Sequence, residues 1–117
     1  MTGVQTCALP ISKLRAVVAA NLDSYAIREH DDRALSAIDF QSSINLLKVE
    51  ASELAVQTVM SAMRACGLSG YRNDGEFSVG RLLRDVLSSP LMINNERILS
   101  NIATSSLMSG VPASLRD

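Results

Sequence analysis

The stretch Lys48–Asp85, KVEASELAVQTVMSAMRACGLSGYRNDGEFSVGRLLRD, decides the fold of this chain. A helical pattern of apolar residues runs as far as Gly67, a polar segment with two glycines follows, and RLLRD opens a new amphipathic pattern. Glycine adopts the left-handed conformation that ends a helix at little cost. The stretch therefore predicts a long helix, a loop over residues 68–77 and a short helix over residues 79–87.

Upstream, the long helix is predicted to start between Ser36 and Asp39 and to end at Cys66, a length of roughly 40 Å. Its apolar residues form two stripes. The first contains Phe40, Ile44, Leu47, Ala51, Leu54, Ala55, Thr58, Ala62 and Ala65, and the second contains Val49, Val56, Val59, Met60 and Met63. A helix that is apolar on two sides packs against more than one neighbour, so we expect it at the centre of a bundle.

Further helices are predicted on both sides of this segment. One begins with Ser12 as its N-cap, and the polar run Arg28–Arg33 follows it as a loop. Ser78 is the expected cap of the short helix, and Asn94 or Asn95 is the expected cap of a last helix that closes at Gly110 and Pro112. The fold class is thus all-α, an antiparallel bundle of about four helices with an aliphatic core.

The first eleven residues fit no helix of this bundle. Residues 2–11, TGVQTCALPI, show no amphipathic period and resemble an in-frame translation of a sequencing-library adapter. We interpret residues 1–11 as an adapter-derived segment and residues 12–117 as the helical domain, so the native protein is expected to continue upstream.

Composition narrows the possible functions. The net charge is −1, and no apolar run is long enough to cross a bilayer, so neither a nucleic-acid partner nor a membrane is indicated. Cys7 and Cys66 lack the spacing of metal ligands or of a disulfide framework, and a reducing cytoplasm suits them. His30 lies in a charged loop without partners for a triad or a metal site. No metal site is predicted.

Several motifs in the deciding stretch occur together in one known family. The helix end and the following loop contain Ala62, Arg64, Gly67, Gly70 and Tyr71, in the order of the pattern A-x-Q-x-x-G-G-x-G-Y. The next helix carries R-L-x-R-D as Arg81, Leu82, Arg84 and Asp85, and the long helix carries K-x-x-A-S-E as Lys48, Ala51, Ser52 and Glu53. In this order and spacing, the chain resembles the C-terminal helical domain of the acyl-CoA dehydrogenases.

The resemblance implies an FAD contact at the end of the long helix. In that family this turn approaches an FAD bound mostly by a neighbouring subunit, which makes Arg64, Gly67 and Gly70 the candidate cofactor-binding residues. Arg64 stands where the family has glutamine, and Leu68 stands where it has a second glycine. From the residues alone, the two glycines are a helix cap and part of a flexible loop.

The family's catalytic base is a glutamate that follows the R-D pair in most members. A carboxylate can act as this base when desolvation raises its pKa toward the working pH. Here the corresponding place falls at Ile93–Asn94, which holds no carboxylate, and Glu96 is the nearest acid. The ordinary role of a glutamate at a helix start is to complement the helix dipole. Glu96 is therefore the sole candidate catalytic residue, and some members place the base on an earlier helix.

The resemblance implies that the parent protein is an FAD-dependent oxidoreductase of fatty acid metabolism that desaturates an acyl thioester of CoA or acyl carrier protein. It also implies a homo-oligomer, typically a homotetramer. The present chain would be a fragment, inactive by itself, that lacks an N-terminal helical domain and a middle β domain. Two alternatives stay open. One is an acyl-carrier-protein dehydrogenase or flavin monooxygenase on the same fold, and the other is a non-enzymatic helical interaction module.

Overall fold

A computed structural model describes residues 3–92 and 94–108, and within them the side chains from residue 8 onward. This part of the chain contains helices and no strand, which confirms the all-α prediction. The helices in chain order are α1 Gly3–Arg28, α2 Asp32–Leu35, α3 Ile38–Cys66, α4 Leu68–Tyr71, α5 Gly80–Leu87 and α6 Asn95–Ser106. Four of them, α1, α3, α5 and α6, have eight residues or more and correspond to the predicted bundle of about four helices, and α2 and α4 are single turns.

Helix α3 lies at the centre, because α1, α2, α4, α5 and α6 all pack against it. Helix α1 runs antiparallel to it. At one end of this pair, the Arg28 guanidinium lies 5.3 Å from the centre of the Phe40 ring, and at the other end Pro10 shares a groove with Met60. Both predicted stripes thus contribute to the contact with α1, Phe40 from the first and Met60 from the second, and the central position predicted for α3 is confirmed.

The buried core is small. Among the described residues, the buried hydrophobic side chains are Phe40, Val49 and Ile98. Full burial of such a side chain contributes about 1.5–3 kcal/mol. Most other apolar side chains are only half-buried or are exposed, so the helices hold together through partial contacts along α3.

Helix α1 begins nine residues earlier than predicted, at Gly3 instead of Ser12. Ser12 is therefore not an N-cap, and the helix continues through Pro10. Proline lacks an N–H and normally disfavours a helix interior. Here Pro10 is buried, and with Leu9 it lines the groove against α3. Packing against α3 thus outweighs the weak helical preference of the segment around Pro10.

Both predicted loops are shorter than expected. In the run Arg28–Arg33, the Asp31 carboxylate accepts hydrogen bonds from the backbone N–H groups of Arg33 (3.0 Å) and Ala34 (3.1 Å), and so caps α2. In the predicted loop of residues 68–77, α4 forms because the Gly67 carbonyl accepts from the N–H of Gly70 (3.0 Å). Each one-turn helix is too short to show an apolar period.

The N-caps of α5 and α6 differ from each other. Helix α5 has Val79 as its N-cap, without a side-chain bond, so the prediction of Ser78 is wrong. The Val79 N–H donates instead to the Gly70 carbonyl at 2.9 Å, which ties the start of α5 to α4. The predicted cap of α6 is confirmed at Asn94. The predicted closure at Gly110 and Pro112 lies outside the described residues.

Candidate functional site

Gly67 terminates α3 with a backbone φ of 60°. Its N–H donates to the Met63 carbonyl at 2.9 Å, which closes the last turn of the helix. A Cβ added at this glycine would meet no atom within 4 Å. Glycine is therefore required here by the backbone conformation and not by crowding, and the exposed turn leaves its backbone open to an outside group.

Gly70 is a glycine for a different reason. It is buried, and an added Cβ would lie 2.7 Å from the Cβ of Cys66 and 3.4 Å from Cγ2 of Val79. Real Cβ atoms do not approach to 2.7 Å, so a side chain here would push α4 away from the end of α3. Packing inside the chain accounts for Gly70 without a cofactor.

Arg64 lies on the last full turn of α3 and is exposed. It lines a groove of about 430 Å³ between α1 and α3. The other lining residues are Leu9, Pro10, Lys13, Val56, Gln57, Met60 and Ser61. No described residue forms a hydrogen bond or ion pair with Arg64, so its guanidinium faces solvent as an available cation beside Lys13. The structure thus places Arg64 toward α1, whereas Gly70 packs toward α5.

A larger cleft of about 570 Å³ lies between the end of α3, α4 and α5. It is lined by Met63, Tyr71, Asn73, Gly80, Leu83, Arg84, Leu87, Ser88 and Leu91. Its walls are mainly apolar, and Tyr71 and Leu91 are 73% and 79% exposed. Sequence reasoning missed this cleft, although the leucine spacing within RLLRDVLSSPL gives the signal for an apolar face.

The R-L-x-R-D charges do not build a site by themselves. Arg81 Nε lies 3.8 Å from the Asp85 carboxylate, one helical turn away, and both side chains are strongly exposed. Exposed pairs of this kind contribute little to stability. Arg84 lines the cleft, whereas Arg81 and Asp85 do not.

At the place where the resemblance put the catalytic carboxylate, Ile93–Asn94, the described residue Asn94 caps a helix. The Asn94 side chain accepts from the backbone N–H of Glu96 at 3.1 Å and of Arg97 at 3.4 Å. Its amide is therefore engaged in capping α6. Glu96 lies in the first turn of that helix and is exposed, where its charge complements the helix dipole. Nothing in the described residues encloses Glu96 as a catalytic base would require.

Other site classes receive no support from the described residues. They contain no group of three or more His, Cys, Asp or Glu side chains that could hold a metal ion. His30 lies 3.3 Å from the Glu29 carboxylate and is 92% exposed. In this same part of the chain, every helix is too short or too polar to cross a membrane.

A polar cluster joins α3 to the start of α6, and sequence reasoning gave it no role. Lys48 and Ser52, one turn apart on α3, both bond to the side chain of Asn95. The spacing of Lys48 and Ser52 was the available signal, because residues four apart share a helix face. Their partner could not be found from sequence, since it lies more than forty residues downstream.

Comparison with known proteins gives one finding about the family. A family model described as "Acyl-CoA dehydrogenase, C-terminal domain" matches residues 7–107, most of the chain. Comparisons with curated proteins and with solved structures give no match. The match covers α3 to α6 completely and includes the turn at Gly67, the cleft and the polar cluster.

Proposed function

Because the chain belongs to the acyl-CoA dehydrogenase family, through the C-terminal domain of that family, we propose that its parent protein is an FAD-dependent oxidoreductase that desaturates an acyl thioester. The match over residues 7–107 is the observation that carries this proposal. The substrate would be a thioester of CoA or acyl carrier protein. We place the protein in the cytoplasm, in line with its two isolated cysteines.

The residues at the end of α3 fit a peripheral contact with FAD. Gly67 presents exposed backbone with no neighbouring atom where a Cβ would stand, and Arg64 offers a solvent-facing guanidinium that suits a pyrophosphate. Gly70 supports this turn by allowing α4 to pack closely on Cys66. When bound, the flavin would supply the hydride acceptor. The chain's own contribution would be to hold the cofactor's edge.

We do not assign the role of proton-abstracting base to Asn94. Asn94 has no basic group, and its amide caps α6. Glu96 is the nearest carboxylate, and it is exposed in the first turn of α6. We therefore propose that this chain is inactive by itself and that further domains of the parent protein complete the site.

The exposed apolar faces support association with other domains or with sister subunits. Leu82, Leu87, Leu91 and Met92 are 59%, 46%, 79% and 67% exposed. They follow one another along α5 and the turn after it. Leu87 and Leu91 line the same apolar cleft, and exposed apolar surface of this kind marks a face that is covered in the assembled protein. A homo-oligomer, and in this family a homotetramer, would cover it.

A second candidate function is favoured by the residue at position 94. A flavin monooxygenase or an acyl-carrier-protein dehydrogenase on the same fold need not carry the base at this place, and Asn94 serves as a helix cap. A non-enzymatic helical module is the third possibility, and bound flavin separates it from both enzymes.

The test uses the complete reading frame that contains this sequence, expressed and purified without added ligand. We expect a yellow protein that desaturates an acyl-CoA or an acyl-carrier-protein thioester with an artificial electron acceptor. A protein that stays colourless after incubation with FAD would overturn both flavoenzyme proposals. Bound flavin with hydroxylation in place of desaturation would select the monooxygenase.

A further inference from the structure

The turn between α5 and α6 is fastened to α3 by one cation. Lys48 Nζ donates to the backbone carbonyls of Ser89 at 3.0 Å and Met92 at 2.9 Å, and it also donates to the side-chain oxygen of Asn95. Lysine carries three N–H donors with free rotation about its last bond, which suits three oxygen acceptors that converge from different directions. Among the described residues, one side chain of α3 thus contacts three that lie 41 to 47 positions away.

Lys48 is the donor that the described residues offer to these two carbonyls. Within residues 3–92 and 94–108, no backbone N–H donates to the carbonyl of Ser89 or of Met92. Neighbouring turn carbonyls do receive such bonds. Ser88 accepts from the N–H of Met92 at 2.8 Å, and Pro90 accepts from the N–H of Asn95 at 3.0 Å. The ammonium therefore serves the carbonyls that the irregular turn leaves pointing toward α3.

Asn95 extends the connection into the buried layer. It is 5% exposed, and its Nδ2 donates to Ser52 Oγ at 2.9 Å. Ser52, 6% exposed, in turn donates to the Val49 carbonyl at 2.9 Å. The described residues contain no buried side-chain polar atom without a partner. In this series of hydrogen bonds every buried side-chain polar atom has a partner. The series fixes one register of α6 on α3, because a shift of α6 would leave buried polar atoms without partners.

We propose that Lys48 is a positioning residue: its ammonium holds the turn of residues 88–92 and 94–95, and with it the cap residue Asn94, in a single position against α3. The turn carries Asn94, one of the two positions, 93 and 94, at which the resemblance places the family's catalytic carboxylate. Any role of this turn near the substrate rests on the proposed function, whereas the hydrogen bonds of Lys48 to the turn do not.

The experiment measures amide hydrogen exchange on the full chain with Lys48→Met, which keeps the apolar stem and removes the cation. Hydrogen bonds to charged groups are the stronger class, so the loss of the bonds to Ser89, Met92 and Asn95 should speed exchange at the amides of Met92 and Asn95 by at least about tenfold. The N–H of Gly67, bonded within α3, should change by less than about twofold. The control is Lys13→Met, which removes an exposed lysine from α1 and should change neither region.

Equal exchange rates at Met92 and Asn95 in the two variants would overturn the proposal. Acceleration of the same size at Gly67 would also overturn it, since Lys48 would then support the whole bundle and not the turn. If Lys48→Met does not fold, Lys48→Gln retains two N–H donors, and the same comparison applies with a smaller expected acceleration. Hydrogen exchange needs no flavin, so the two proposals can fail separately. If the parent protein bound no FAD, the proposed function would be refuted. Acceleration confined to Met92 and Asn95 would still support the role of Lys48.

Discussion

At the residue scale, the two glycines at the end of α3 show that one residue type meets two separate requirements. Gly67 needs a positive φ and has free space around it, whereas Gly70 needs space and lies against Cys66. The sequence indicated a helix end at Gly67 because a positive φ at that point is a local property. The close approach of Gly70 depends on the position of α4 relative to α3, which no local pattern contains.

Substitution of Gly70 tests this packing. Gly70→Ala would place a Cβ 2.7 Å from Cys66 Cβ, and overpacking of this kind destabilises by about 1–3 kcal/mol. The matched control is Gly80→Ala at the start of α5, where the nearest atom is 3.5 Å away and φ is ordinary. That change should leave stability unaltered or raise it by up to about 1 kcal/mol. Urea unfolding followed by circular dichroism measures both, and equal midpoints would contradict the argument.

Asn94 gives a second residue-scale prediction, for the cap of α6. Asn94→Ala removes the acceptor for two backbone N–H groups, which costs about 1 kcal/mol in the free energy of unfolding. Asn94→Asp retains the acceptor and adds a favourable charge at the helix start, so its stability should match the unaltered chain or exceed it. Asn101→Ala, on the exposed middle of the same helix, is the control. A loss at position 101 as large as at position 94 would exclude capping as the cause.

At the element scale, helix α1 gave the largest disagreement between sequence and structure. A start at Ser12 was predicted because residues 2–11 lack an amphipathic period. The helix begins at Gly3, and its segment near Leu9 and Pro10 lies against Met60 of α3. Contact with a neighbouring helix therefore extends α1 into a segment whose own residues do not favour it. That residues 1–11 derive from an adapter stays a prediction.

Deletion of residues 2–11 tests how much of the bundle depends on this segment. The polar cluster joins α6 to α3 at Lys48 and Ser52, whereas Leu9 and Pro10 of the deleted segment share a groove with Met60 and Arg64. We expect helical circular dichroism to fall only by the share of the deleted turns, with the protection of amides in α6 retained. Loss of protection in α6 would show instead that the first turns of α1 hold the domain together.

At the scale of the whole molecule, the chain is elongated and exposes more surface than a compact domain of its size. Its principal extents are 51 × 26 × 26 Å, and its radius of gyration is 17.4 Å, against about 13 Å for a compact domain of this length. It exposes 8824 Å² of surface, whereas a compact monomer of 12.6 kDa exposes about 6,200 Å². The excess exceeds the area buried in a standard protein interface.

This surface predicts association of the isolated chain. Leu87 and Leu91 lie in the apolar cleft beside α5, so the double variant Leu87→Lys, Leu91→Lys should lower the concentration-dependent mass measured by light scattering after size exclusion. Leu107→Lys changes a side chain that is 88% exposed at the far end of α6 and serves as the control. An unaltered chain that stays monomeric at high concentration would argue against a covered face at the cleft.

The sequence by itself determined the helical class, the central helix and two helix termini. The two apolar stripes of α3, the positive φ at Gly67 and the cap at Asn94 are set by residues within a few positions of one another, and such local preferences can be recognised without coordinates. The family was also recognisable from the sequence, because its motifs keep their order and spacing along α3 and α5. The candidate cofactor contact at Arg64 remains a proposal.

The tertiary structure alone decided the start of α1, the reason for Gly70 and the role of Lys48. Each depends on a contact between segments far apart in the chain: Pro10 with α3, Gly70 with Val79, and Lys48 with Ser89 and Met92. The free energy of such a contact depends on the residues of both segments, so neither segment predicts it by itself. For this reason the local pattern predicted the helices, and only their packing showed which residues fasten them.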